Sequence, residues 1–177
     1  AEAFTQVPLT LDYSVITDLL GQMEVGMIED GTAVGMGLAT AVKRLQASDA
    51  ESQVVVLLTD GRNNTGEIGP VTAGQMAQAL GVRVYTIGAG RQGMARVPID
   101  DRLRGRRYVT VEVDIDEASL QEVAETTGGR YFRATDREGL GQIYEEIDAL
   151  ETTEIEVQNF TNYGELFHYP LAAGLVL

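Results

Sequence analysis

The chain has 177 residues, with 27 acidic and 13 basic side chains and a formal net charge of −14. This length suits one domain with a full core, and so acidic a chain argues against general nucleic-acid binding, which needs a basic surface. Cysteine is absent, which excludes disulfides, zinc–thiolate sites and a cysteine nucleophile. The single histidine, His168, leaves the familiar catalytic triads without their usual pairing of base and nucleophile.

The N-terminal part predicts one strand and one helix. Residues Ala3 to Thr10 alternate weakly and contain Pro8, which is typical of an edge strand. Asp12 is a predicted N-cap for a helix from Tyr13 to Met23. Apolar residues recur along that helix at helical spacing, so one of its faces is predicted to be buried.

A second helix is predicted from Thr32 to about Ala47, after a loop that contains Asp30-Gly31. Gly35 and Gly37 lie inside it, where glycine costs about 1 kcal/mol relative to alanine. Close packing of this helix on a strand is our preferred explanation for both glycines, ahead of the approach of a ligand.

The run Val54 to Thr59 is the strongest strand signal in the chain, because no polar residue interrupts it before Thr59. Such a run predicts a strand that is buried on both faces, as in a parallel α/β sheet. Asp60-Gly61 ends the run. A carboxylate at the carboxyl end of such a strand lies where open α/β sheets bind their ligands.

The remaining predicted elements are helices and strands in turn, except that two strands follow one another around the segment 89–107. They are a helix from about Val71 to Leu80, a strand from Val82 to Ile87, a strand from Tyr108 to Val113, a helix capped by Asp116 that runs to Thr126 and is ended by Gly128-Gly129, a strand from Arg130 to Arg133, and a helix capped by Asp136 that runs from Arg137 to about Glu151. This order predicts a parallel sheet covered by helices. The strands at Val54–Thr59 and Val82–Ile87 should therefore be adjacent and parallel.

Residues 89–107 are predicted to be an irregular, mobile and basic excursion from the sheet. The sequence IGAGRQG, Ile87 to Gly93, leads into this segment and matches G-x-G-x-x-G, but the residues that follow carry Pro98 and no apolar stripe. A dinucleotide-binding fingerprint requires a helix to begin within it, so we do not interpret this segment as a nucleotide site. The sequons at Asn63 and Asn159 are short enough to arise by chance and carry no weight.

The C-terminal part predicts a tail that leaves the domain. Residues 152–168 connect to an apolar run from Leu171 onwards, which we interpret as the start of a truncated transmembrane helix. The predicted organisation is therefore a domain at 1–151 and a tail with a membrane anchor at 152–177.

Oxygen ligands for a metal ion could converge at two loops. One contains Asp60, and the other contains Asp30-Gly31-Thr32. A hydroxyl and a carboxylate are donors that suit Mg²⁺. From the residues alone an alternative stays open, in which Thr32 is a helix N-cap and Asp60 forms a turn.

Four segments together resemble a known family. They are GMIEDGTAVGMGLATAV, VVVLLTDGRNN, GVRVYTIGAG and DEASLQEVAETTGGRYFRATD. Their content and order resemble a von Willebrand factor type A domain of the variety found in bacterial membrane-anchored Bat (aerotolerance) proteins. The resemblance implies an α/β, Rossmann-like sandwich with a mainly parallel sheet and helices on both faces. It also implies a metal-ion-dependent adhesion site for Mg²⁺, with Ca²⁺ or Mn²⁺ as alternatives, in which Thr32 and Asp60 are ligands.

One motif of that site is not in this sequence. The resemblance implies an Asp-x-Ser-x-Ser turn after the first strand, upstream of the region that matches Ala3 to Thr10. The site is therefore expected to be incomplete in this chain, and the sheet is expected to lack its first strands.

The implied function is metal-dependent protein–protein interaction without catalysis. The partner would present a carboxylate to the ion, and other Bat-type proteins and a MoxR-type AAA+ ATPase are the implied candidates. The implied location is the bacterial inner membrane, with the domain on the periplasmic side. Two alternatives remain: a Mg²⁺-dependent phosphoryl-transfer or hydrolase domain that uses Asp60, and a metal-free scaffold.

Overall fold

The computed structural model describes residues 3–23, 31–48, 50, 52–90, 93–101, 105–113 and 115–158. It divides into two compact units, residues 1–141 and 142–177. In chain order the elements are α1 (Tyr13–Gly21), α2 (Val34–Leu45), β1 (Val54–Thr59), α3 (Pro70–Ala79), β2 (Arg83–Ala89), β3 (Gly93–Asp101), β4 (Gly105–Val113), α4 (Glu117–Thr127), β5 (Tyr131–Ala134) and α5 (Arg137–Gln158).

Strands β1, β2 and β5 form a parallel sheet in the order β1-β2-β5. Val55 of β1 is level with Val84 of β2, and Ile87 of β2 is level with Phe132 of β5. The prediction that Val54–Thr59 and Val82–Ile87 are adjacent parallel strands is confirmed. The carboxyl ends of all three strands therefore lie at one edge of the sheet, as in other parallel sheets.

Helices α2, α3 and α4 pack side by side against this sheet. Their apolar faces meet β1 and β2 in one core cluster made of Leu38, Ala39, Val42, Val55, Ala73, Ala77, Val82, Val84 and Val123. Buried polar groups on the same face are paired: the Thr86 hydroxyl donates to the Leu120 carbonyl at 2.8 Å. Burial of these apolar side chains is the main stabilising term, at about 25 cal/mol per Å² of apolar surface.

Strand β1 is less buried than its sequence predicts. Val55 and Thr59 are buried, whereas Leu58 is 45% exposed. Among the described residues β1 pairs only with β2, so its other edge and the face that carries Leu58 are open. By contrast, β2 has a neighbour on each side and is buried along its length.

The N-terminal elements differ most from prediction. Residues 3–12 form no strand, because no described strand runs beside them. Asp12 caps α1 as predicted, and its carboxylate accepts from the Ser14 amide at 3.0 Å. The predicted burial of an α1 face is wrong, since no residue of α1 is buried. A cavity of about 620 Å³ lies between residues 3–9, Met23, α2 and β1.

Most of the described residues between 89 and 107 lie in strands, which corrects the prediction that this segment is irregular. Its mobility stays a prediction. Strands β3 and β4 pair antiparallel, with Pro98 level with Tyr108. Their long register satisfies backbone groups that an irregular loop would leave to water. The G-x-G-x-x-G segment begins in β2 at Gly88, and its last glycine, Gly93, is the first residue of β3. Among the described residues a strand therefore stands where a dinucleotide fingerprint needs a helix.

Helix α5 begins after Asp136, whose carboxylate accepts from the Gly139 amide at 2.8 Å, and runs to Gln158. This is longer than the predicted end near Glu151. The domain boundary at 151 stays a prediction, and the predicted anchor from Leu171 lies outside the described residues. No helix within the described ranges combines the length and apolar character that crossing a membrane requires.

Candidate metal centre

The turn after β1 places Asp60 at the carboxyl edge of the sheet. Thr59 is buried, and its hydroxyl donates to the Gly61 carbonyl at 3.1 Å and accepts from the Gly61 amide at 3.3 Å. These bonds close a tight turn around Asp60. The Asp60 side chain itself is exposed, so its carboxylate is accessible from solvent at the point where sequence analysis placed a ligand.

Thr32 lies just before α2 and is not its N-cap. The N-cap is Ala33, which makes no side-chain capping bond. Of the alternative interpretation, the part in which Thr32 is the helix N-cap is therefore wrong, whereas the part in which Asp60 forms a turn is confirmed by the bonds between Thr59 and Gly61. Asp30, the other carboxylate considered for this loop, lies outside the described residues.

Two asparagines of the loop after β1 hold the start of α2 in place. The Thr32 amide donates to Asn64 Oδ1 at 2.7 Å, and the Asn64 amide donates back to the Thr32 carbonyl at 3.0 Å. The Gly35 amide donates to Asn63 Oδ1 at 3.1 Å. Asn63, in the loop after β1, thus supplies the hydrogen-bond acceptor that the side chain of the N-cap residue, Ala33, cannot provide.

This arrangement brings the two predicted ligand loops together. A β-carbon placed on Gly61 would lie 3.4 Å from the Thr32 hydroxyl oxygen. Thr32 therefore faces the residue directly after Asp60, at the carboxyl edge of the sheet. Two oxygens that share an octahedral Mg²⁺ at about 2.1 Å each can be at most about 4.2 Å apart, and a bridging water extends that reach.

The backbone around this edge is closely packed. A β-carbon on Gly35 would lie 2.5 Å from the Gly69 carbonyl carbon and nearer still to the Ile68 carbonyl oxygen. Gly66 adopts a φ of +92°, and a β-carbon there would lie 2.7 Å from the Met36 side chain. Gly35 is therefore a packing glycine, as predicted, but its neighbour is the loop before α3 and not a strand. For Gly37 the packing prediction is wrong, because a β-carbon there would have no atom within 4 Å.

Sequence analysis assigned no role to Asn63 or Asn64. The signal available in the sequence was a pair of adjacent asparagines one residue beyond a strand-ending Asp-Gly turn, where amide side chains commonly bond to nearby backbone. The third residue of that sequon, Thr65, has a buried hydroxyl for which the described residues provide no hydrogen-bond partner. The side chains of Asn63 and Asn64 therefore bond to backbone at the carboxyl edge of the sheet, and the Thr65 hydroxyl is buried beside them in sequence.

The described donors fit a hard cation in chemical type. A hydroxyl and a carboxylate are oxygen ligands of the kind that Mg²⁺ takes, and Mg²⁺ commonly retains several waters beside one or two protein carboxylates. Within the described part of the chain no three His, Cys, Asp or Glu side chains group together. Thr32 and Asp60 would therefore form an open site and not a cage of protein ligands.

Comparison with known proteins identifies the family. A sequence model of the von Willebrand factor type A domain matches residues 2–146. The chain belongs to this family. The predicted α/β architecture is confirmed with it, since the described residues form a parallel sheet packed against helices, as in a von Willebrand A domain.

Relatives and solved structures agree with this assignment. A Borreliella burgdorferi protein is 28% identical over 137 residues, which is 76% of this chain and 40% of that protein. The chain therefore spans less than half of this relative's length. A crystal structure of BatB from Bacteroides thetaiotaomicron is 26% identical, with a TM-score of 0.68 over 85% of this chain and 75% of that chain.

A second solved structure links the fold to membrane proteins. It is an aerotolerance-related membrane protein from Bacteroides fragilis, 28% identical, with a TM-score of 0.65 over 81% of this chain and 72% of that chain. The predicted resemblance to Bat-type von Willebrand A domains is confirmed by these neighbours. Domains of this family often mediate protein–protein contacts, in many cases through a metal ion.

Proposed function

We propose that this von Willebrand A domain binds a protein partner through a divalent cation held by Thr32 and Asp60. The observation that carries the proposal is the position of the Thr32 hydroxyl, directly against the turn that presents Asp60. Mg²⁺ is the preferred ion because both donors are hard oxygens, with Ca²⁺ or Mn²⁺ as alternatives.

The exposure of Asp60 favours an open coordination shell. Mg²⁺ binds six oxygens and exchanges its waters for ligand oxygens. A Glu or Asp side chain of the partner would replace one water and connect the two proteins through the ion. In this role the domain is adhesive and non-enzymatic: the ion orients the partner, and no bond in the partner is broken.

The proposed setting is a membrane-anchored bacterial protein. The support is the likeness to an aerotolerance-related membrane protein and to BatB. We place the domain on the periplasmic side of the inner membrane. The proposed partners are other Bat-type proteins and a MoxR-type AAA+ ATPase, each of which would have to present an acidic side chain to the ion.

The test is a metal titration of the full-length protein. Calorimetry with Mg²⁺, and electron paramagnetic resonance with Mn²⁺, should show a site that Asp60→Asn weakens at least tenfold while the circular dichroism spectrum stays unchanged. Glu67→Gln is the matched control, because Glu67 is an exposed carboxylate of the same loop. Equal affinity of wild type and Asp60→Asn would refute the assignment.

The same preparations distinguish binding from catalysis. Under the proposal, Mg²⁺ does not induce hydrolysis of a generic phosphate ester such as p-nitrophenyl phosphate. Mg²⁺-dependent turnover that Asp60→Asn abolishes would instead support the phosphoryl-transfer or hydrolase alternative. Absence of any Mg²⁺ or Mn²⁺ binding would support the metal-free scaffold.

A further inference from the structure

The start of α2 is attached to the loop after β1 by side chains and not only by packing. Thr32 is bonded at both its amide and its carbonyl to the same residue, Asn64. A residue held on both sides has little freedom to change its backbone angles. The direction of the Thr32 hydroxyl, which depends on those angles, is therefore set by the loop that carries Asp60.

From this geometry we infer that Asn64 is a positioning residue of the metal site, with Asn63 in a supporting role. The inference rests on the proposed function of Thr32 and Asp60. Asn64 itself lies four residues after Asp60 and acts on the ion through Thr32. Its side-chain oxygen must face the Thr32 amide, because only the oxygen can accept from an N–H group.

The two asparagines also change the local electrostatics in favour of a cation. The first N–H groups of a helix carry partial positive charge and repel a cation nearby. Asn63 Oδ1 and Asn64 Oδ1 each accept from one N–H group in this region, at Gly35 and Thr32. Each bond places a partly negative amide oxygen against a partly positive N–H group. The region around the Thr32 hydroxyl therefore repels a cation less.

Residues that orient metal ligands are expected to have a measurable effect on affinity. Removing such an orienting partner typically lowers metal affinity 10- to 100-fold. Asn64 is exposed, and its bond to Thr32 is accessible to water, so we expect the lower end of this range, about tenfold. A purely structural role would instead lower stability and leave the affinity of the folded protein unchanged.

The test is a double-mutant cycle in the full-length protein, with Mn²⁺ affinity read by electron paramagnetic resonance. Asn64→Ala should lower affinity about tenfold in the wild type and have no further effect in Thr32→Ala, because Asn64 acts through Thr32. Asn64→Asp keeps an oxygen acceptor for the Thr32 amide and should not weaken binding. If Asn64→Ala does not fold, Asn64→Gln, which displaces the acceptor by one methylene, takes its place in the cycle.

Thr127→Val is the matched control, since it removes another side-chain oxygen that accepts from a distant backbone amide, in this case the Thr127 hydroxyl, which accepts from the Val84 amide at 3.1 Å. It should lower stability in urea without changing Mn²⁺ affinity. The inference is overturned if Asn64→Ala and Asn64→Gln leave affinity unchanged while Thr32→Ala and Asp60→Asn lower it. If Thr32→Ala and Asp60→Asn have no effect either, the proposed function itself fails.

Discussion

Gly35 and Gly37 show how differently two glycines of one helix can be used. Around Gly35 the backbone of Ile68 and Gly69 occupies the place of a side chain, whereas a β-carbon on Gly37 would have no atom within 4 Å. Their sequence context is nearly the same, because both lie in the first turns of α2. Only their neighbours in space determine which one the fold requires.

Substituting each glycine by alanine should therefore give effects of opposite sign. Gly35→Ala is expected to destabilise the protein by about 1–3 kcal/mol, because the helix must move away from the loop before α3. Gly37→Ala is expected to stabilise it by about 0.5–1 kcal/mol, since alanine lowers the entropy cost of a helix interior. Urea unfolding measures both, and a stability loss in Gly37→Ala equal to that in Gly35→Ala would contradict this account.

Asp12 offers a second test at the level of a single residue. The pKa of Asp12 is lowered by the hydrogen bond from the Ser14 hydroxyl and by bonds from the Val15 and Ser14 amides. Because the pKa of Asp12 is lowered in the folded state, its charged carboxylate stabilises α1 at any pH above the unfolded pKa of about 3.9. This stabilisation is lost as the pH falls through the folded pKa.

Nuclear magnetic resonance can follow this loss through the amide shifts of Ser14 and Val15. They should titrate together with the Asp12 carboxylate, at a pH below the usual aspartate range. Asp12→Asn keeps an oxygen that can cap the helix and should remove the pH dependence. If the amide chemical shifts of Ser14 and Val15 kept the same pH dependence in Asp12→Asn, the titration would belong to another group.

Among the elements, β5 is hydrogen-bonded to Gly90, which lies just before β3 and which we call the root of the β3–β4 hairpin. The Gly90 amide donates to the Ala134 carbonyl at 2.8 Å, and Arg133 donates to the Gly90 carbonyl at 2.9 Å. The same guanidinium forms an ion pair with Glu117 at the start of α4. Nearby, burial raises the pKa of the Tyr131 phenol above its ordinary value.

Arg133→Met should loosen this root and lower the free energy of unfolding by about 1–2 kcal/mol, because charge-assisted hydrogen bonds to Glu117 and Gly90 are lost. Hydrogen exchange should accelerate at Gly90. Arg137→Met is the control, since Arg137 is an exposed arginine at the start of α5. Unchanged exchange at Gly90 in Arg133→Met would show that backbone pairing alone fixes the hairpin root.

For the whole molecule, the open edge of β1 is the most consequential feature. Among the described residues this strand has one neighbour, and Leu58 is 45% exposed on it. Unpaired edges with apolar side chains favour pairing between chains. The exposed apolar residues of α1 and the cavity beside α2 and β1 lie in the same unit.

We therefore expect residues 1–177 alone to self-associate in a concentration-dependent way. Leu58→Lys should reduce this association, because a charged side chain on an edge strand opposes pairing with another chain. Leu80→Lys is the control, since Leu80 is 42% exposed at the end of α3 and not on the sheet. Light scattering coupled to size exclusion measures the change, and equal effects of both variants would implicate general hydrophobicity instead of the β1 edge.

The sequence by itself determined the parallel sheet and the order of its elements, because local signals are strong there. The apolar runs at β1 and β2, the caps at Asp12, Asp116 and Asp136 and the glycine after α4 each act over a few residues. The site residues Thr32 and Asp60 came from family resemblance joined to the rule that ligands bind at the carboxyl ends of parallel strands.

Only the tertiary structure decided the features that depend on distant neighbours. Of the β3–β4 hairpin the sequence predicted only the strand at Tyr108–Val113. Strand β3 was missed because the composition of residues 93–101 resembles a loop, and the two strands are defined by their pairing with each other. The exposure of α1 and Leu58 reflects what packs beside them, which a local pattern does not contain. The attachment of Thr32 by Asn64 joins residues 32 positions apart, and no propensity along the chain predicts such a contact because it forms only when the two loops meet at the sheet edge.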